Sequence, residues 1–271
     1  MNLNGLKIVC PQCQSSYLES DSESSNQEIH CTNCNSIFPM EDGVLDLLNE
    51  ESPGMIPVAE PMKWKWLVKI YNSRLWRKSA WLGKLSFGIS FDKESNLILN
   101  AANLTPNAYA LDLACGPGTY TKPIAQALTQ GKIVGFDISL PMLSYGAKQA
   151  IKEGLQNILY IHGTVRDLPF EKEQFDFINC SGALHLFMDF LPELLHKIND
   201  ILKHGGRFSI AAARLPEGKW SKKLALNRSK NSGLKFFSPE ELKQYLLEAG
   251  FIDVICHHSK RYWLVMSATK Q

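Results

Sequence analysis

No stretch of the 271 residues approaches 18 consecutive apolar positions, and the chain does not start with a basic segment leading into a long apolar run. The sequence therefore predicts neither a spanning helix nor an export signal, and a cytoplasmic location is the expectation. Charge of one sign is missing from two regions. Residues 61–84 contain seven Lys or Arg and no acid, whereas residues 1–60 contain ten Asp or Glu and Lys7 alone as a base. The net charge of +2 conceals this asymmetry, and it predicts different surroundings for the two regions. With 45% hydrophobic residues, the composition excludes disordered and fibrous classes. The length accommodates one full α/β domain and a small appendage.

Seven cysteines divide into four that are patterned and three that are scattered. Cys10-Pro11-Gln12-Cys13 and Cys31-Thr32-Asn33-Cys34 are separated by seventeen residues, the C-x₂-C pairing of a structural zinc site. Two disulfides would use the same four residues, but a chain without an export signal sits in a reducing compartment, which favours zinc. His30 reads as a bystander, since four thiolates fill the shell. Cys115, Cys180 and Cys256 lie in strand-like contexts and read as buried small hydrophobes.

The stretch Ala108–Tyr120 carries the strongest signal: an apolar run, Asp112, then Gly116-Pro117-Gly118 opening onto a helical pattern. Glycine permits a tight turn and close backbone approach to a ligand, and a helix N-terminus supplies N–H groups. Lys132–Asp137 is a second apolar run ending in an acid about 20 residues beyond the glycines, where a carboxylate accepts from a ribose diol. Dinucleotide binding requires a third glycine, and Thr121 stands in its place.

These residues resemble the class I S-adenosylmethionine-dependent methyltransferases, whose signature is D-L-x-C-G-x-G on the first strand and an acid ending the second. The resemblance runs from near Ser95 to the C-terminus. It continues through Asp137-Ile138-Ser139, Asp167-Leu168-Pro169-Phe170, Phe175-Asp176-Phe177-Ile178, Gly205-Gly206-Arg207-Phe208 and Phe237-Ser238-Pro239-Glu240. It implies that Gly116 and Gly118 approach the methionyl part of the cofactor, that Asp112 helps fix the loop and the cofactor's ammonium, and that Asp137 holds the ribose. Ile138 and Met142 would flank the adenine, with Thr164 and Val165 following the third strand on the same side. The family usually has an acid where Thr164 stands; a hydroxyl still hydrogen-bonds, or Asp167 substitutes.

Read in order, residues 1–48 form the zinc-ribbon module, with 37–48 expected to dock it, and the Pro-containing stretch 49–61 reads as a linker. Residues 62–94 hold four of the six tryptophans, with Trp64, Leu67, Val68, Tyr71 and Leu75 at helical spacing. That segment reads as a helix capping the cofactor site, as an acceptor lid, or as an amphipathic helix on an anionic membrane or RNA. The core, 95–271, is expected as an α/β, Rossmann-like, seven-stranded, mostly parallel sheet with an antiparallel last strand, helices between the first five strands and a last helix near 238–249. An insertion at 214–236 carries seven basic residues and one acid, Glu217, and would help wall the acceptor site.

Methyl transfer from a sulfonium needs alignment and water exclusion more than chemical groups. A general base is needed only when the acceptor must lose a proton; His185, just past the fourth strand, is the candidate, with Asp189 and Tyr120 behind it. His162, His196, His204, His257 and His258 show no ligand-like spacing. The expected cofactors are S-adenosylmethionine and structural zinc. The expected partner is a small, partly apolar acceptor, with ribosomal or transfer RNA as the alternative and a non-catalytic cofactor-binding scaffold as the class-different one.

Overall fold

A computed structural model describes residues 6–14, 18–20, 28–48, 87–232 and 234–271. The expected linker, most of the tip of the cysteine hairpin and residues 62–86 of the tryptophan-rich segment lie outside the described residues.

Strands β1 (Leu18–Ser20), β2 (Glu28–Cys31), β3 (Ile37–Glu41) and β4 (Val44–Asp46) come from the cysteine module. The core strands are β5 (Tyr109–Leu113), β6 (Lys132–Asp137), β7 (Ile158–His162), β8 (Phe175–Ser181), β9 (Leu202–Ala213), β10 (Phe251–Lys260) and β11 (Trp263–Lys270). They form one eleven-stranded sheet in the order β1-β2-β3-β4-β7-β6-β5-β8-β9-β11-β10. Neighbours from β4 to β9 run parallel, and β11 pairs antiparallel with both β9 and β10. The turn between β10 and β11 is too short for a crossover, which dictates that antiparallel edge. Strands β5 and β7 are buried on both faces, as a parallel sheet between helices requires.

Helices α1 (Phe91–Ala102), α2 (Thr121–Ala127), α3 (Leu140–Lys152), α4 (Leu191–Ile201), α5 (Lys219–Ser232) and α6 (Pro239–Glu248) complete the described residues, with 3₁₀ turns at Leu184–Leu186 and Met188–Phe190. Sequence chemistry accounts for several of their ends and faces. In α6 the Ser238 side chain caps the helix by accepting from the Glu241 N–H at 3.1 Å, with Pro239 at the first position. Leu191, Leu194, Leu195, Ile198 and Ile201 give α4 a buried stripe at three- and four-residue intervals.

Two expectations are corrected. No helix forms between β7 and β8; residues 163–174 are irregular, and the chain start covers them instead. Ile8 bridges antiparallel to Phe170 and the Val9 N–H donates to the Pro169 carbonyl at 2.9 Å, so backbone pairing replaces a helix that Pro169 would in any case interrupt. Cys256 is exposed on the edge strand β10, where one face looks outward, rather than buried.

The cysteine module extends the core sheet. β4 lies parallel to β7 with Val44, Leu45 and Asp46 opposite Tyr160, Ile161 and His162, and the Leu47 N–H continues the ladder to the His162 carbonyl at 2.9 Å. Ile8, Leu18, Ile29, Phe38, Leu45 and Leu47 share one apolar core with Phe136, Leu159, Ile161 and Phe170. A module of this size cannot bury enough surface alone, and this shared core gives it what it lacks.

Candidate active site

The glycine loop lies at the carboxyl ends of β5 and β6, the end of a parallel sheet where ligands bind. Ala114, Gly116 and Gly118 all have positive φ, at 54°, 55° and 77°, so the chain leaves β5 through a succession of left-handed residues. For Ala114 that conformation is strained, and strain of this kind gathers at sites that need a fixed shape. A Cβ on Gly118 would overlap the hydroxyl of Tyr160, while one on Gly116 would lie 3.4 Å from the Met142 Sδ. Gly118 is therefore glycine for two reasons, its φ and the tyrosine beneath it. The Tyr160 ring is also enclosed by Gly135 and Gly146, and its hydroxyl is buried without a hydrogen-bond partner among the described residues.

The two predicted acids serve the loop from different sides. Asp112 is 1% exposed, with one oxygen accepting from the Thr121 hydroxyl and the other from the Asn179 amide, both at 2.6 Å. Burial pushes its carboxyl up to about 6 despite both bonds. The Ser181 hydroxyl donates to the Asn179 side-chain Oδ1 at 2.9 Å, carrying the network to the end of β8. Asp137 takes the Gly116 N–H at 2.8 Å on one oxygen and the Ser139 N–H at 2.8 Å on the other. Burial raises its carboxyl also, opposed by those two N–H groups. Each oxygen keeps a second lone pair, so a diol can still be accepted there. The residues present thus fit a nucleoside-bearing ligand.

Met142 is buried in the first turn of α3, three residues after Ser139, and Ile138 is half-buried with its carbonyl 3.1 Å from the His162 Nε2. Thr164 is buried, its hydroxyl accepting from the Arg166 N–H at 3.3 Å; Val165 beside it packs on the core. His185 lies in the 3₁₀ turn after β8, with Nδ1 buried and unpartnered among the described residues, and its carbonyl accepts from the Lys235 N–H at 3.2 Å. Burial lowers its pKa to about 4, so the ring is neutral at neutral pH. The basic insertion leaves β9 at Arg214 and returns against it at Phe237, which places its end beside His185. Asp189 is exposed and pairs with Arg166, and Tyr120 donates its hydroxyl to the buried Glu94 at 2.6 Å.

The four patterned cysteines converge, with all Sγ atoms within 4.8 Å of one another. Cys10–Cys34 and Cys13–Cys31 are separated by 3.7 and 3.6 Å, close to the roughly 3.8 Å that tetrahedral geometry at a Zn–S length of about 2.3 Å requires. Both turns have one shape. The Gln14 N–H closes on the Cys10 carbonyl at 2.8 Å and the Asn35 N–H on the Cys31 carbonyl at 3.0 Å, with Gln14 and Asn35 each left-handed.

Residues 110–206 match the family model described as a methyltransferase domain. The core has the α/β, Rossmann-like methyltransferase fold. A demethylmenaquinone methyltransferase from Bacillus velezensis is 34% identical over 116 residues, 42% of this chain and 49% of that protein. One from Bacillus cereus is 33% identical over 106 residues, 39% and 44% of the two chains. The chain spans about half the length of these curated relatives. Among solved structures, phosphoethanolamine N-methyltransferase 2 of Haemonchus contortus, in complex with phosphomonomethylethanolamine and S-adenosylhomocysteine, has a TM-score of 0.65 at 14% identity, covering 80% of this chain and 61% of that one. The YcgJ protein of Bacillus subtilis has a TM-score of 0.56 at 18% identity, covering 66% and 99%. At these identities the structures show the fold alone.

Sequence reasoning missed Thr121, Asn179, Tyr160 and the Asp46–His162 pair. Thr121 carried a signal, since it stands where a dinucleotide loop has glycine, and its hydroxyl holds Asp112 there. Asn179 was visible as an amide inside the apolar run of β8. The partners of Tyr160 and His162 depend on strand register and left no mark in the sequence.

Proposed function

We propose that this chain is an S-adenosylmethionine-dependent methyltransferase acting on a small, partly apolar acceptor through an oxygen, nitrogen or carbon nucleophile. The observation that carries the reading is the pairing of the left-handed glycine loop with the Asp137 carboxylate across β5 and β6. When bound, the cofactor supplies the electrophilic methyl group. Gly116 and Gly118 would border its methionyl part, Asp112 would hold the loop through Thr121, Asp137 would accept from the ribose, and Ile138, Met142, Thr164 and Val165 would enclose the adenine. His185 would face the acceptor as the candidate base where the acceptor loses a proton, a weak one while burial holds its pKa at about 4. A small acceptor is supported by the names of the curated relatives, demethylmenaquinone methyltransferases.

The same reading assigns one structural zinc to Cys10, Cys13, Cys31 and Cys34, supported by the sulfur geometry and the matched turns. RNA is the second reading, favoured by α5, which carries Lys219, Lys222, Lys223, Arg228 and Lys230 without an acid.

The test is calorimetry with S-adenosylhomocysteine. Wild type should bind with micromolar affinity and Asp137→Ala should bind at least about tenfold more weakly. Absence of wild-type binding would sink the assignment. Labelled cofactor incubated with metabolite extract and with total RNA then separates the acceptors: label entering RNA in a strongly salt-dependent manner would refute the small-molecule class.

A further inference from the structure

His162 joins the cysteine module to the ribose- and adenine-side loop. Asp46, His162 and Asp137 stand opposite one another on β4, β7 and β6, one residue from each of three adjacent parallel strands. In a parallel ladder such residues project to the same face, so the imidazole lies between two carboxylates. Its Nδ1 meets the Asp46 Oδ1 at 2.8 Å and its Nε2 meets the Ile138 carbonyl oxygen at 3.1 Å. These two contacts hold the imidazole from both of its nitrogens. The backbone follows the same path. The Leu47 N–H donates to the His162 carbonyl at 2.9 Å, and the Gly163 N–H to the Asp137 carbonyl at 3.0 Å. Asp46 is itself fixed by accepting from the Leu48 N–H at 3.0 Å. The His162 side chain is only 10% exposed, so these contacts hold one rotamer away from bulk water.

The consequence lies at Ile138. This residue sits between Asp137, whose carboxylate takes the Gly116 N–H, and Ser139, whose N–H donates back to Asp137. A hydrogen bond on the Ile138 carbonyl fixes the peptide plane joining Ile138 to Ser139, and with it the direction of the N–H that holds Asp137. We infer that His162, held by Asp46 from the cysteine module, is a positioning residue for the cofactor site, so that the added strand β4 acts on cofactor affinity as well as on stability. This rests on the cofactor reading above, and it gives the module a role beyond covering the sheet edge.

The test compares four full-length proteins: wild type, Asp46→Ala, Asp46→Asn and His162→Phe. Affinity for S-adenosylhomocysteine is measured by calorimetry, and each protein's melting midpoint is measured with and without the ligand. Asp46→Ala and His162→Phe should bind about five- to tenfold more weakly, as expected for loss of one charge-assisted hydrogen bond. Asp46→Asn, whose side-chain oxygen still accepts from Nδ1–H, should stay within about twofold of wild type. A purely structural role would shift the unliganded midpoint and leave affinity unchanged. The ligand-induced shift, read against each variant's own unliganded midpoint, keeps the comparison valid for a destabilised protein. Wild-type affinity in Asp46→Ala, or Asp46→Asn as weak as Asp46→Ala, overturns the inference while the cofactor reading stands. No binding by wild type overturns both.

Discussion

Tyr160 and Gly118 occupy space that only one of them can claim, which makes their energetic coupling calculable. Alanine at position 118 would take a φ of 77°, a conformation that costs an L-residue about 1 kcal/mol. Its Cβ would also overlap the Tyr160 hydroxyl, and overpacking at a well-filled site costs about 1–3 kcal/mol more. Gly118→Ala should therefore destabilise by about 2–4 kcal/mol. Tyr160→Phe removes a buried hydroxyl that has no partner among the described residues, so the lost desolvation penalty should make it neutral to about 1 kcal/mol stabilising. In the Tyr160→Phe background the clash largely disappears, because the nearest remaining ring atoms are 3.3 and 3.5 Å from the Cβ position. Only the backbone term is left. Urea denaturation of wild type, both single variants and the double variant should then yield a coupling of about 1–3 kcal/mol. Additivity to within about 0.5 kcal/mol, or a Tyr160→Phe variant destabilised by more than about 1 kcal/mol, would refute the claim that the loop is shaped around this ring.

The cysteine cluster should bring down about one zinc per chain from protein purified without added metal, and Cys13→Ser should lower the melting midpoint; a metal-free wild type with an unchanged midpoint would contradict it. His185 gives a pH test with a definite sign. Its folded pKa of about 4 lies below the ordinary value of 6.5, so the unfolded chain binds more protons between these limits and stability falls as pH drops through them. The loss should reach about 3 kcal/mol and be absent in His185→Phe, and parallel pH–stability curves for the two proteins would show that the ring is not held neutral.

Much of this protein was legible in one dimension because the deciding interactions are local or periodic. The apolar runs fixed the seven core strands to within a few residues, and the short connection read around Ser259-Lys260, found at Arg261-Tyr262, fixed the antiparallel edge, since no crossover fits there. The C-x₂-C turns were readable because each closes on itself through a bond between residues four apart. The glycine loop and its spaced acids were readable because left-handed backbone and a strand-ending carboxylate leave a sequence signature. The fate of each acid was not, since burial of Asp112 and its bonds to Thr121 and Asn179 come from elements up to 67 residues apart. Nor was the missing helix between β7 and β8, because the chain start that replaces it lies more than 150 residues earlier. The joining of the cysteine module to the sheet was decided last and only in three dimensions. Parallel pairing of β4 with β7 satisfies an edge that composition leaves unmarked, and its register alone brings Asp46 to His162.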